Sequence, residues 1–211
     1  MVTGPSGCGK SSLLRILYGL WPFYSGKIHK PFTQMQYLPQ RPYMARNCLL
    51  SEQITYPLSS KDAALPRERL RELLSKVRLE YLLDDQDGED RAADWEGMLS
   101  MGEKQRIAVL RLLYHRPKYA VLDEATSALD PELESVVYDL IKDEGITVIS
   151  VSHHPSLRKY HKVELRLDGK SGWELKRIKR QRIIVIEEED SDDENGNENE
   201  NGNEIEKMEM I

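Results

Sequence analysis

Cysteine is nearly missing from this chain: 211 residues hold two, Cys8 and Cys48. That is too few for a disulfide framework and fits a reducing compartment. Long apolar runs are missing too. The longest unbroken aliphatic stretches, 107–110 and 183–186, have four residues each, against the roughly 20 of a bilayer-spanning helix, so no span is expected. No secretory signal is expected either, because Gly4 to Lys10 is glycine-rich and polar where an apolar run would stand. There is no internal repeat. Charge is unevenly spread: the net charge of −6 combines a segment 187–211, with twelve acids against Lys207, and a remainder at +5.

What is present suits one domain with a sizeable core, followed by an acidic tail over 184–211 that is too polar to fold. The basic run 176–182 before the tail reads either as an anion-surface or nuclear-localisation patch or as the solvated end of the fold, and the second reading is preferred. Helical and strand patterns alternate. Residues 11–18 read as a helix ended by Gly19, and 34–38 as a short strand. Pro66 opens a helix striped by Leu70, Leu73, Leu74 and Val77. Residues 104–114 form another helix, 119–122 a buried strand, and 146–151 a strand. Pro131 starts a helix with Leu133, Val136, Val137, Leu140 and Ile141 on one face. Strands alternating with helices imply a mostly parallel α/β sheet.

Gly4-Pro5-Ser6-Gly7-Cys8-Gly9-Lys10-Ser11 fits the phosphate-loop pattern G-x-x-x-x-G-K-[ST]. Its glycines let amides curl round phosphate oxygens, Lys10 supplies charge, and the Ser11 hydroxyl suits Mg²⁺; Ser12 continues the nucleotide-binding set. The helix beginning here aims its positive end at the same anion. Cys8 reads as a small residue at a variable position rather than as a reactive thiol. Only Met1, Val2 and Thr3 precede the loop, where a central parallel strand has about five or six residues. The N-terminal strands are therefore expected to be truncated, either as a piece of something longer or as a defect in the core. Far along the chain, Tyr119-Ala120-Val121-Leu122 ends in Asp123-Glu124. Beside a phosphate loop, Asp123 can reach Mg²⁺ and Glu124 can polarise an attacking water.

Leu99-Ser100-Met101-Gly102-Glu103-Lys104-Gln105 resembles the signature motif of ATP-binding cassette (ABC) ATPases. Gln40 resembles their Q-loop glutamine, Ser127-Ala128-Leu129-Asp130 their D-loop and His153 their switch histidine. All stand in the family's order over about four-fifths of the chain. The wording of Gly19-Leu20-Trp21-Pro22, Leu38-Pro39-Gln40-Arg41-Pro42-Tyr43-Met44 and Pro155-Ser156-Leu157-Arg158-Lys159-Tyr160-His161 is similar to subfamily D, the peroxisomal half-transporters of long-chain fatty acids or acyl-CoA. The resemblance implies a P-loop ABC ATPase over 1–183 with a helical signature subdomain at about 45–115. Its cofactors are ATP and Mg²⁺, and its metal ligands are Ser11, Gln40 and Asp123. Glu124, His153 and Gln40 are its catalytic residues. Leu99, Ser100, Gly102 and Glu103 act in trans on ATP held by a second ABC ATPase domain, with Asp130 in the D-loop.

The resemblance also implies a transmembrane partner, no nucleic acid, and a place on the cytosolic face of the peroxisomal membrane, or in the cytosol if the chain is free-standing. From the residues alone, Ser100-x-x-Glu103 is a capping box for the following helix. The chain departs from the family at Met101, where glycine is usual, and Met101 is expected to hinder apposition of protomers. The adenine-stacking aromatic, which lies upstream of the loop in the family, is also missing, so weaker nucleotide binding is expected. His154 is expected to be an exposed loop residue; His29, His115 and His161 are expected to be structural. The competing readings are a truncated, non-hydrolysing fragment and a soluble ABC ATPase of the DNA-repair or translation type. The second would need long coiled coils or another cassette.

Overall fold

A computed structural model of the chain describes residues 1–31, 34–58, 65–83 and 92–178. The expected tail at 184–211 and the basic run beyond Ile178 lie outside the described residues.

Six strands form one sheet in the order β2-β3-β4-β1-β5-β6. They are β1 Val2–Thr3, β2 Met35–Leu38, β3 Tyr119–Asp123, β4 Thr147–Val151, β5 Val163–Leu167 and β6 Trp173–Arg177. All pairings are parallel except β5 with β6, so the sheet is mostly parallel, as the alternation of strands and helices predicts. Strand β1 is short and central: Val2 pairs with Val151 on one side and with Leu165 on the other. Strand β3 buries four of its five residues, as a strand covered on both faces does. Strand β6 exposes all five of its residues at the sheet edge.

The helices are α1 Lys10–Tyr18, α2 Leu50–Thr55, α3 Arg67–Lys76, α4 Trp95–Met98, α5 Met101–His115 and α6 Pro131–Asp143. Side chains alternate across a strand, so β3 feeds two cores. Val121 joins Leu14 of α1, Val2 and Val151 on one face. Ala120 and Leu122 join the larger cluster built by α2, α3, α5 and α6. In α3 the predicted leucine stripe is buried, with Val77 just beyond it. In α6, Leu133, Val137 and Ile141 are buried as expected, whereas Val136 and Leu140 are half-buried and Glu134 and Tyr138 lie fully inside.

Candidate active site

The loop between β1 and α1 holds three glycines at positive φ: Gly4 at 145°, Gly7 at 76° and Gly9 at 96°. Only glycine adopts these angles freely. At Gly4 there is also no room, since a Cβ would stand 2.4 Å from the Leu167 carbonyl oxygen. Pro5, Ser6 and Gly7 are exposed, Cys8 is half-buried, and Gly9 caps α1. Lys10 is buried, and its Nζ donates to the carbonyls of Gly4 at 3.0 Å and Pro5 at 2.9 Å, which folds the ammonium over the loop. The first turn of α1, which includes Ser11 and Ser12, contains no acid. A helix N-terminus, loop amides and an ammonium thus stand together, the arrangement that attracts a polyanion.

Beneath the loop, Ser11 Oγ donates to Asp123 Oδ1 at 2.6 Å. Tyr37 donates its hydroxyl to Asp123 Oδ2 at 2.8 Å, and Arg15 Nε stands 4.0 Å from the same oxygen. Burial pushes the Tyr37 phenol up to about 12, and the hydrogen bond to Asp123 adds to the effect. The carboxylate and the adjacent hydroxyl are hard oxygen donors that suit Mg²⁺, an ion that prefers one or two carboxylates, phosphate oxygens and water. Among the described residues, no three His, Cys, Asp or Glu side chains converge as a metal-binding group. The Ser11 hydroxyl and Asp123 carboxylate therefore fit a magnesium carried by a nucleotide. Gln40, expected as a third ligand, instead donates Nε2 to Glu124 Oε2 at 2.9 Å.

Glu124 sits just past β3 with φ of 52°, a left-handed conformation that is strained for a residue with a side chain. Its amide is held by the Val151 carbonyl at 3.2 Å. Its other carboxylate oxygen, Oε1, lies 3.3 Å from His153 Nε2. Gln40, Glu124 and His153, which are distant in sequence, therefore meet.

At the start of α5 the capping box forms in both directions: Ser100 N donates to Glu103 Oε2 at 2.7 Å, and Glu103 N donates to Ser100 Oγ at 3.3 Å. Burial works to raise the Glu103 carboxyl, but the bonds from Ser100 and Tyr81 outweigh it and leave the group below its ordinary value. Leu99 is buried beneath the box, while Met101 is 39% exposed on the helix end. A Cβ at Gly102 would stand 3.1 Å from the Ala128 carbonyl oxygen, so Gly102 lets α5 approach the 127–130 segment closely. Asp130 caps α6 by accepting from Leu133 N at 2.9 Å.

Two residues central to this arrangement were given no role from sequence. Gln105, fully buried in α5, donates to the carbonyl of Gln40 at 3.0 Å and to Ser127 Oγ at 3.3 Å, and accepts from Ala128 N at 2.9 Å. A polar residue in the middle of a buried helix face was the available signal. The other is Glu134, which is 1% exposed and pairs with His154 at 2.6 Å. His154 is a loop residue with its side chain 44% exposed, as expected, but its Nδ1 is also bound to this buried carboxylate. His161 is buried and bonded through both ring nitrogens, to Ser150 Oγ and to the Leu157 carbonyl.

A phosphate loop after a central parallel strand, a Ser–Asp pair beneath it and a capped helix packed against the 127–130 segment define an ATP-binding cassette. The chain belongs to the ABC transporter family, whose model matches residues 1–127. Among its curated relatives is ATP-binding cassette sub-family D member 1 of Drosophila melanogaster, 45% identical over 186 residues, which are 84% of this chain and 25% of the relative. ATP-binding cassette sub-family D member 3 of Homo sapiens is 42% identical over 182 residues, 84% of this chain and 28% of the relative. The chain thus spans about a quarter of the length of these relatives. It is also similar to a bacterial Atm1-family ABC exporter with ATP bound, at a TM-score of 0.65 and 26% identity, covering 80% of this chain and 31% of the exporter. Among the described residues no helix is long and apolar enough to cross a membrane.

Proposed function

We propose that the chain binds and hydrolyses ATP with Mg²⁺ as the nucleotide-binding part of an ABC transporter of subfamily D. The observation that carries this reading is the 2.6 Å bond from Ser11 Oγ to Asp123, which joins the phosphate loop to a strand end 112 residues away. The ATP-binding domain is 1–183, with a helical part at about 45–115. The amides of the Gly4 to Gly9 loop and of Ser12 hold phosphate oxygens, and Lys10 neutralises their charge. Ser11 and Asp123 would hold the magnesium, with Gln40 turning to it from Glu124; the ion supplies charge stabilisation to the transferring phosphoryl group.

Glu124 polarises the water that attacks the γ-phosphorus. The P–O bond to ADP breaks, and the water's proton passes to the carboxylate. His153 holds Glu124, and His153 with Gln40 positions the γ-phosphate and the water in line. Leu99, Ser100, Gly102 and Glu103 of a second ABC ATPase domain close over the same nucleotide. Transmembrane segments supplied elsewhere use this motion. The resemblance to subfamily D supports import of long-chain fatty acids or acyl-CoA at the cytosolic face of the peroxisomal membrane.

One observation favours a second reading. Met101 is 39% exposed on the helix end that must approach the other protomer, which suits a cassette that binds nucleotide without hydrolysing it. Substituting Glu124→Gln separates the two. Removing the proton acceptor is expected to lower turnover by about two orders of magnitude or more while ATP still binds, as calorimetry and phosphate release would show. A wild-type chain that binds ATP but releases no phosphate supports the second reading, and turnover unchanged by Glu124→Gln removes Glu124 from its role.

A further inference from the structure

Glu134 is a carboxylate with 1% exposure, and the hydrolysis scheme above does not use it. A buried ionised group is retained only where both oxygens are satisfied, and here the two partners come from two different loops. Thr126 Oγ1, itself buried, donates to Glu134 Oε1 at 2.6 Å. His154 Nδ1 lies 2.6 Å from Glu134 Oε2, and the amide of His154 is held by Ser152 Oγ at 3.1 Å. Thr126 is two residues beyond Glu124, and His154 is the neighbour of His153. The functional side chains of the two loops meet directly in the 3.3 Å contact of His153 with Glu124, at a solvent-facing position. One buried carboxylate on α6 grips both loops at once.

We propose that Glu134 is a positioning residue for ATP hydrolysis: its carboxylate clamps the Glu124 loop to the His153 loop through Thr126 and His154. This rests on the function proposed above. If the clamp operates, Glu134 acts through His153, and its loss has no target once His153 is gone. Residues that act as one unit are strongly non-additive.

The test is a double-mutant cycle in the full chain. Glu134→Leu, which removes both bonds, is expected to lower kcat about thirtyfold, with KM for ATP changed less than about threefold. In a His153→Ala background the same substitution is expected to lower the residual rate less than about twofold. Glu134→Gln, which keeps the shape and hydrogen-bonding capacity, should retain most of the activity. An equal loss from Glu134→Leu in both backgrounds would mean a purely structural role and overturn the proposal.

Should Glu134→Leu fold poorly, Thr126→Val breaks the clamp from one side and takes its place in the cycle. Hydrogen exchange provides a readout independent of turnover. Thr126→Val should speed amide exchange at 152–154, in the other loop, but not when Glu134 is already Leu. Faster exchange confined to the 124–128 side overturns the clamp even in an active chain. A wild-type chain that neither binds nor hydrolyses ATP overturns instead the function on which the proposal rests, while the exchange result still decides whether the loops are coupled.

Discussion

Gly4 shows how one residue ties the phosphate loop to the sheet. A Cβ there would meet the Leu167 carbonyl at 2.4 Å, whereas one at Gly7 meets nothing within 4 Å. Gly4→Ala must therefore push the loop off β5. A loss of about 2–4 kcal/mol in urea denaturation is expected, together with at least about tenfold weaker ATP binding. Gly7→Ala carries only the backbone penalty of about 1 kcal/mol.

His161 is one residue that confers acid sensitivity. Burial, with the chain's N-terminal ammonium adding, pushes its imidazole down to about 4. The unfolded chain then binds the extra proton between pH 4 and its ordinary value near 6.5. The contribution of His161 to stability is complete above about pH 6.5 and falls by roughly 3 kcal/mol as pH drops to 4. His161→Gln should flatten that limb of a pH-denaturation series. The phosphate loop was legible in the sequence because its positions are fixed by local backbone geometry. Glu134 was not: as an acid in the first turns of an amphipathic helix it looks solvated, and its burial depends on Thr126 and His154, which only the folded chain brings to it.

Helix α5 is the element that joins the parts of the site. Its cap presents Ser100, Gly102 lies against Ala128, and Gln105 reaches the backbone of Gln40 and Ala128. Gln105→Leu fills the same space but strands buried backbone groups. An expected loss of about 2–4 kcal/mol in thermal or urea unfolding contrasts with near-neutrality if those groups find water. The capping box was readable as Ser100-x-x-Glu103, and α3 and α6 were readable from their apolar period. Helices α2 and α4, with six and four residues, are too short to show a period. The β5–β6 hairpin escaped notice because its charged residues alternate with few buried ones: β6 is wholly exposed, and its stability comes from pairing with β5.

For the whole molecule, the alternation of strands and helices was enough to foresee a parallel sheet, but not the strand order. That order places β1 between β4 and β5, so the phosphate loop leaves the sheet beside the ends of β3 and β4, which carry Asp123, Glu124 and His153. The Ser11–Asp123 bond depends on this crossover; no local pattern encodes it. The central claim is that residues far apart in the chain form one ATP–magnesium site built around Lys10. The most direct test is calorimetric titration of ATP, with and without magnesium, into the wild-type chain and Lys10→Ala, with circular dichroism to check that both are folded. The account predicts magnesium-dependent binding to the wild type and at least about hundredfold weaker binding to Lys10→Ala. Equal binding by the two folded proteins, or none by the wild type at millimolar ATP, would contradict it.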